Sequence, residues 1–183
     1  PPQRGEEVYC VLPFFWIPSD NMIERARRDR VPYDAWVRDG LMSTTPGNVI
    51  DYHAIMDKIV DVGETYRLAE VAFDRWGSQA IVNDLMSIGC NMIQFGQGLK
   101  SLSPPTKELM NLVLSRKIEH FGNPIMRWMM DNVVVHMDSA GGIKPDKAKS
   151  REKIDGVVAM IMALDRAIRN MNTAEFTYTG LFG

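Results

Sequence analysis

Two aspartates hold positions from which a metal could be bound. Asp74 closes the apolar run Leu68-Ala69-Glu70-Val71-Ala72-Phe73, and Asp155 falls in the first turn of a long amphipathic stretch opening Lys153-Ile154-Asp155-Gly156-Val157-Val158. A carboxylate at a strand end, facing another at a helix start on the same sheet, offers hard oxygen ligands to a divalent ion. Such an ion serves phosphodiester chemistry by activating water and stabilising the leaving oxygen. Each acid also has a plainer use. Asp74 suits a turn aspartate bonded to its own loop, and Asp155 is favoured by the helix dipole alone. Asp155 nonetheless neighbours Val158, Ala159 and Met162 at helical spacing, which sets it at the edge of the apolar stripe and not opposite it. Gly156 beside it lets backbone or ligand come close, at a helix-propensity cost of about 1 kcal/mol.

The stretch leading into Asp155 is basic: Lys144, Lys147, Lys149, Arg151 and Lys153, offset only by Asp146 and Glu152. Beside a metal-binding acid, such a field suits a nucleic-acid phosphate backbone. Its plainer reading is a solvated loop. Arg25, Arg27, Arg28 and Arg30 fall on an expected helix and read as a solvated face or a partner contact. The net charge of −2 makes no global case for nucleic acid, so the case is local. His53, His120 and His136 lack metal-ligand spacing. Gly96-Gln97-Gly98 lacks the third glycine of a dinucleotide loop, and no Walker lysine motif occurs. Met126, Met129 and Met130 read as core. Trp16, Trp36, Trp76 and Trp128 read as packing, with Trp76, next to Asp74, the one placed to stack on a base.

Strands alternating with helices must position these residues. Val8 to Ile17 reads as a strand ended by Pro18, and Ser19 or Asp20 as the cap of a helix to Arg30. Tyr33 to Asp39 reads as a helical turn, Leu41 to Thr45 as a short strand, and Asp51 as the cap of a helix to Val62. Leu68 to Phe73 is a buried strand. Ser78 caps a helix burying Ile81, Val82, Leu85 and Ile88 and stopped by Gly89. Met92 to Phe95 is a strand, Gly96 to Pro105 a loop and Thr106 to Lys117 a helix. Asn123-Pro124 opens another helix. Asn132 to Met137 is a strand, Asp138 to Ser150 a polar loop, and Glu152 to Asn170 the longest helix. The class is α/β with a largely covered sheet.

At 183 residues the chain suits one domain with a sizeable core. Cys10 and Cys90 fall in apolar runs and read as buried thiols of a reducing compartment. No apolar run reaches the roughly 20 residues of a membrane span. The opening Pro1-Pro2-Gln3-Arg4-Gly5-Glu6-Glu7 reads as a hairpin turn entered midway.

Five stretches in order resemble the C-terminal nuclease domain of the large terminase subunit of tailed bacteriophages and prophages. They are Arg27-Arg28-Asp29-Arg30-Val31-Pro32-Tyr33, Ala72-Phe73-Asp74-Arg75-Trp76, Gln94-Phe95-Gly96-Gln97-Gly98, His120-Phe121-Gly122-Asn123-Pro124, and Lys144-Pro145-Asp146-Lys147 leading into Lys153-Ile154-Asp155-Gly156-Val157. The resemblance implies an α/β, ribonuclease H-like mixed sheet flanked by helices. The nuclease domain would span residues 1–170, with a loosely ordered tail over 171–183. It implies a metal-dependent endonuclease that cuts concatemeric double-stranded DNA, with Asp74 and Asp155 as the second and third of three acids holding two Mg²⁺ or Mn²⁺ ions. Asp74 would bridge both ions and Asp155 hold one, while Lys144, Lys147, Lys149, Arg151 and Lys153 would meet DNA. The first acid would lie on a strand before Val8, so an N-terminally truncated domain is expected. Implied partners are double-stranded DNA, a portal protein, a small terminase subunit and an N-terminal ATPase domain in cis, with no membrane. The implied place is the host cytoplasm, at the procapsid portal. Two other readings are a non-cleaving docking module using the Arg25 to Arg30 helix, and another ribonuclease H-like enzyme such as a resolvase or transposase.

Overall fold

The computed structural model describes residues 8–74 and 79–171. The expected opening turn, Trp76, the Ser78 cap and the tail beyond Met171 lie outside these described residues. The elements run β1 (Tyr9–Cys10), β2 (Trp16–Pro18), α1 (Met22–Asp29), α2 (Tyr33–Arg38), β3 (Ser43–Thr45), α3 (Tyr52–Thr65), β4 (Val71–Asp74), α4 (Gln79–Ser87), β5 (Met92–Phe95), α5 (Leu99–Leu114), β6 (Ile118–Glu119), α6 (Pro124–Asn132), β7 (Val135–Met137), β8 (Ile143–Pro145) and α7 (Asp155–Met171). Three strand pairs are parallel, β1 with β6, β2 with β3 and β4 with β5, and β7 pairs antiparallel with β8. The class is α/β, as expected.

The core forms around α7. Ile154, Val157, Val158, Ile161 and Leu164 recur at helical spacing and are all buried, and α7 packs on α5, α6 and β4. Several helix starts follow local chemistry. Asp51 Oδ1 accepts the His53 N–H at 2.9 Å. Asn123 Oδ1 accepts the Ile125 and Met126 N–H groups, both at 3.0 Å, with Pro124 at the first helical position. Gly89 follows α4 with φ +94°, a conformation that favours glycine.

Other expectations fail for identifiable reasons. The single strand over Val8 to Ile17 is two short strands, because Pro13 between them has no N–H to donate to a ladder. Neither Ser19 nor Asp20 caps α1. Asn21 precedes it at φ 58°, and its side chain donates instead to Asn48 at 3.0 Å. The loop over Gly96 to Pro105 is largely helix, since α5 starts at Leu99 and carries Pro104 and Pro105 inside it. Buried Leu102, Pro105, Leu109 and Leu112 form one stripe, and this tertiary burial outweighs the lost backbone bonds. The polar loop over Asp138 to Ser150 contains β8, because Ile143 and Pro145 alternate inward. Cys10 is exposed and Cys90 half-buried, both as free thiols. Tyr9 takes the core side of β1 and its neighbour Cys10 the other. Ile88 and Met130 are also exposed.

The direction of β4 relative to α7 sets the site. Just before β4, Glu70 grips Arg166 of α7 through both carboxylate oxygens, one at 3.1 Å from Nη2. Two residues past β5, Gln97 Nε2 reaches Met162 Sδ at 3.5 Å. Since β4 and β5 are parallel and Asp74 is in register with Phe95, both strands head toward the amino-terminal half of α7. The Arg166 hydrogen bond holds the Glu70 carboxyl below the usual range despite its burial. A depressed carboxyl adds stability above its unfolded value and loses it as pH falls through the folded value. Glu70→Gln is therefore expected to cost about 1 kcal/mol at pH 7 and progressively less as pH falls through the lowered folded value, read by urea unfolding across an acid pH series.

Candidate active site

Asp155 is the first residue of α7. Ile154 is buried, and its carbonyl accepts the N–H groups of Val157 at 3.0 Å and Val158 at 3.1 Å. Asp155 itself lies outside the buried stripe, its side chain 66% exposed. Its Oδ1 accepts Lys147 Nζ at 2.9 Å. Gly156 lines the same cleft as Asp155 and also serves packing. A Cβ there would lie 2.8 Å from Met129 Sδ, 2.9 Å from Phe15 Cε1 and 3.2 Å from Met126 Sδ.

Asp74 is half-buried at the carboxyl end of β4, where open α/β sheets place ligands. The β7–β8 hairpin links this end to Asp155. Lys144 of β8 donates to the Gln97 carbonyl at 3.1 Å. Asp146 then organises a tight turn: its Oδ1 accepts the N–H groups of Ala148 at 3.1 Å and Lys149 at 3.2 Å, and its carbonyl accepts the Ser150 hydroxyl at 2.7 Å. This turn carries Lys147 to Asp155. A cavity of about 410 Å³ lies along the path, lined by Gln97, His136, Lys144, Asp146 and Lys147 among others.

The five basic residues divide. Lys147 meets Asp155 directly. Lys153 and Asp155 share a cleft of about 600 Å³ whose walls include Phe14, Phe15, Trp16 and Trp128. Lys144 is half-buried and committed to Gln97. Lys149 faces Asp146 at 3.9 Å, and Arg151 is exposed. Arg25 and Arg28 of α1, read from sequence as a solvated face or a partner contact, line the same cleft as Asp155. Their separation of three residues, one helical turn apart, was the available signal. Asp29 lines it too. The Arg28 hydrogen bond at 2.7 Å holds the Asp29 carboxyl below its usual range. Burial, followed by the Asp29 charge, pushes the Tyr33 phenol up to about 12.

Among the described residues, no group of three His, Cys, Asp or Glu side chains is arranged to hold a metal ion. Asp74 and Asp155 are oxygen donors of the class that Mg²⁺ and Mn²⁺ take. The donor chemistry of these two carboxylates suits such an ion, and two carboxylates do not complete a site by themselves. Among the described residues no helix is long and apolar enough to cross a membrane.

A family model described as the terminase large subunit, endonuclease domain, matches residues 4–170. The large terminase subunit of Enterobacteria phage HK97 is 40% identical over 167 residues, which cover 90% of this chain and 33% of that protein. Protein YmfN of Escherichia coli (strain K12) is 33% identical over 166 residues, covering 87% of this chain and 36% of that protein. The crystal structure of the HK97 large terminase matches with a TM-score of 0.80 at 39% identity, over 87% of this chain and 34% of that one. The large terminase nuclease of thermophilic phage G20c matches with a TM-score of 0.51 at 17% identity, over 66% of this chain and 64% of that one, a likeness of fold. The chain spans about a third of the length of the curated relatives it matches.

The packing around Gly156 yields a direct expectation. Alanine in place of a helical glycine ordinarily stabilises by up to about 1 kcal/mol. Gly156→Ala should instead destabilise by about 1–2 kcal/mol, because the added Cβ overpacks the α6–α7 contact. Chemical unfolding of the two proteins checks the sign.

Proposed function

The chain belongs to the terminase large subunit endonuclease family, and on that premise we propose that it is a metal-dependent endonuclease acting on concatemeric double-stranded DNA during phage genome packaging. The observation that carries this reading is the start of α7. Asp155 stands there, solvent-facing and paired with Lys147, on a cleft that Lys153, Arg25 and Arg28 also line. Asp74, at the end of β4, heads toward the same half of α7. In this reading Asp74 and Asp155 are two of the carboxylates of the metal centre, and the third comes from outside the described residues. When bound, divalent Mg²⁺ or Mn²⁺ supplies a nucleophilic water at neutral pH and neutralises charge on the leaving oxygen.

The chain's own residues bind and orient DNA. Lys147 and Lys153 contact phosphate beside Asp155, with Arg25 and Arg28 extending the basic rim. Lys144 acts through its bond to Gln97, bracing the hairpin that carries Lys147. Lys149 and Arg151 add charge at longer range. Contacts of this kind go to phosphate and not to base edges, so cutting is nearly independent of sequence. We take residues 1–170 as the nuclease domain and 171–183 as a tail. Within the larger protein, the portal, the small terminase subunit and an ATPase domain in cis are the proposed partners, and the host cytoplasm at the procapsid portal is the proposed place.

Supercoiled-plasmid cleavage in Mn²⁺, in a protein extended to the length of its relatives, tests the site. Asp74→Asn and Asp155→Asn should each lower the rate by at least about 100-fold. Wild-type rates in either variant would refute the assignment, and a wild-type protein that binds its motor partners without cutting would favour the docking reading. Lys147→Ala and Lys153→Ala should each reduce the salt slope of DNA binding by about 1.

A further inference from the structure

A second cavity, of about 790 Å³, opens on the far side of α6 from Asp155. Trp128 and Met129 of α6 face the Asp155 cleft, whereas Met126, Arg127, Met130 and Asp131 face this one. It lies between the end of α5, β6 and α6, with methionine and aliphatic walls. Its charged or titratable lining is Arg116, Glu119, His120, Arg127 and Asp131.

Three observations mark it as a binding site. First, His120 Nδ1 is buried and has no hydrogen-bond partner among the described residues, although nearly all buried polar groups in folded proteins are bonded. Second, Arg116 and Arg127 are exposed and make no ion pair or hydrogen bond among the described residues, so both guanidinium groups are open to a ligand although two acids line the same cavity. Glu119 is committed elsewhere, its Oε1 accepting the Phe121 N–H at 2.6 Å. Third, Arg116 has φ 58° just past the α5 terminus, where the Lys117 N–H returns to the Leu112 carbonyl at 2.8 Å. Glycine fills that position most easily. Phe121, at the other end of β6, also has a positive φ of 54°. Non-glycine residues in this conformation are enriched at ligand clamps, and helix ends also accept it, as at Arg30 after α1.

We propose that this cavity binds a phosphate monoester of nucleotide size, with Arg116 and Arg127 holding the phosphate and His120 turning its unpartnered ring nitrogen to the ligand. Planar guanidinium groups match phosphate oxygens in pairs. The cavity falls within the roughly 300–1,000 Å³ of small-molecule sites, and its apolar wall suits a base or other flat group. The proposal stands apart from the endonuclease reading, since it uses neither Asp74 nor Asp155.

Calorimetric titration of the chain with inorganic phosphate and with deoxyadenosine monophosphate tests it, alongside a short DNA duplex. Both small ligands should bind the wild type. Arg116→Gly removes the guanidinium while easing the backbone, so it should unfold no earlier than wild type yet bind at least about tenfold more weakly. Arg127→Gln, on a helix surface, should show the same loss. Asp131→Asn should bind more tightly, because it removes the uncommitted negative charge. No wild-type binding up to about 10 mM ligand, undiminished binding in either arginine variant, or weaker binding in Asp131→Asn would each overturn the proposal. If only the duplex binds, and loses affinity in both arginine variants, the arginines serve a DNA backbone and the small-molecule site is wrong.

Discussion

Burial of one face of α7 is the constraint on which the rest of the structure depends. Ile154, Val157, Val158, Ile161 and Leu164 leave water together, against α5, α6 and β4. Each fully buried aliphatic side chain of this size contributes about 1.5–3 kcal/mol, so the face as a whole dominates any single polar contact. Its rotation about the helix axis is thereby set. Asp155, at the first turn, lies outside that buried stripe and is exposed. Gly156 belongs to the same logic, because it lets the helix lie against Met126, Met129 and Phe15 at a separation that a Cβ would not allow.

Two ion pairs on α7 differ in what they do. Glu70 and Arg166 are mostly shielded, with side-chain exposures of 12% and 21%, and they fix how β4 lies along the helix. Lys147 and Asp155 are exposed, and a pair of that kind contributes only about 0–1 kcal/mol. It adds little to the fold and leaves the carboxylate easily available to another cation. The shielded pair is structural, and the solvent-facing pair sets the charge at the site.

The fold tolerates local disfavour where burial compensates. Pro104 and Pro105 stand inside α5, yet Leu102, Pro105, Leu109 and Leu112 bury one continuous stripe. Such exceptions are where reading by local propensity fails, because proline content argues for a loop while the periodicity of the surrounding aliphatic residues argues for a helix. The basic segment before α7 is a similar case. Its composition suggests a solvated loop, but Ile143 and Pro145 pair β8 with β7, and Asp146 bonds the following turn into a fixed shape.

The sequence by itself determined the α/β class, the stripe of α7, the caps at Asp51 and Asn123, and the placing of Asp74 at a strand end and Asp155 at a helix start. These follow from periodicity and capping chemistry, which act over a few residues. Only the tertiary structure decided which charges meet. It brought Arg25 and Arg28, more than a hundred residues away in the chain, onto the cleft of Asp155, committed Lys144 to Gln97, and exposed Cys10. Such meetings depend on how whole elements pack, and packing depends on summed burial over the core and not on any local pattern of residues.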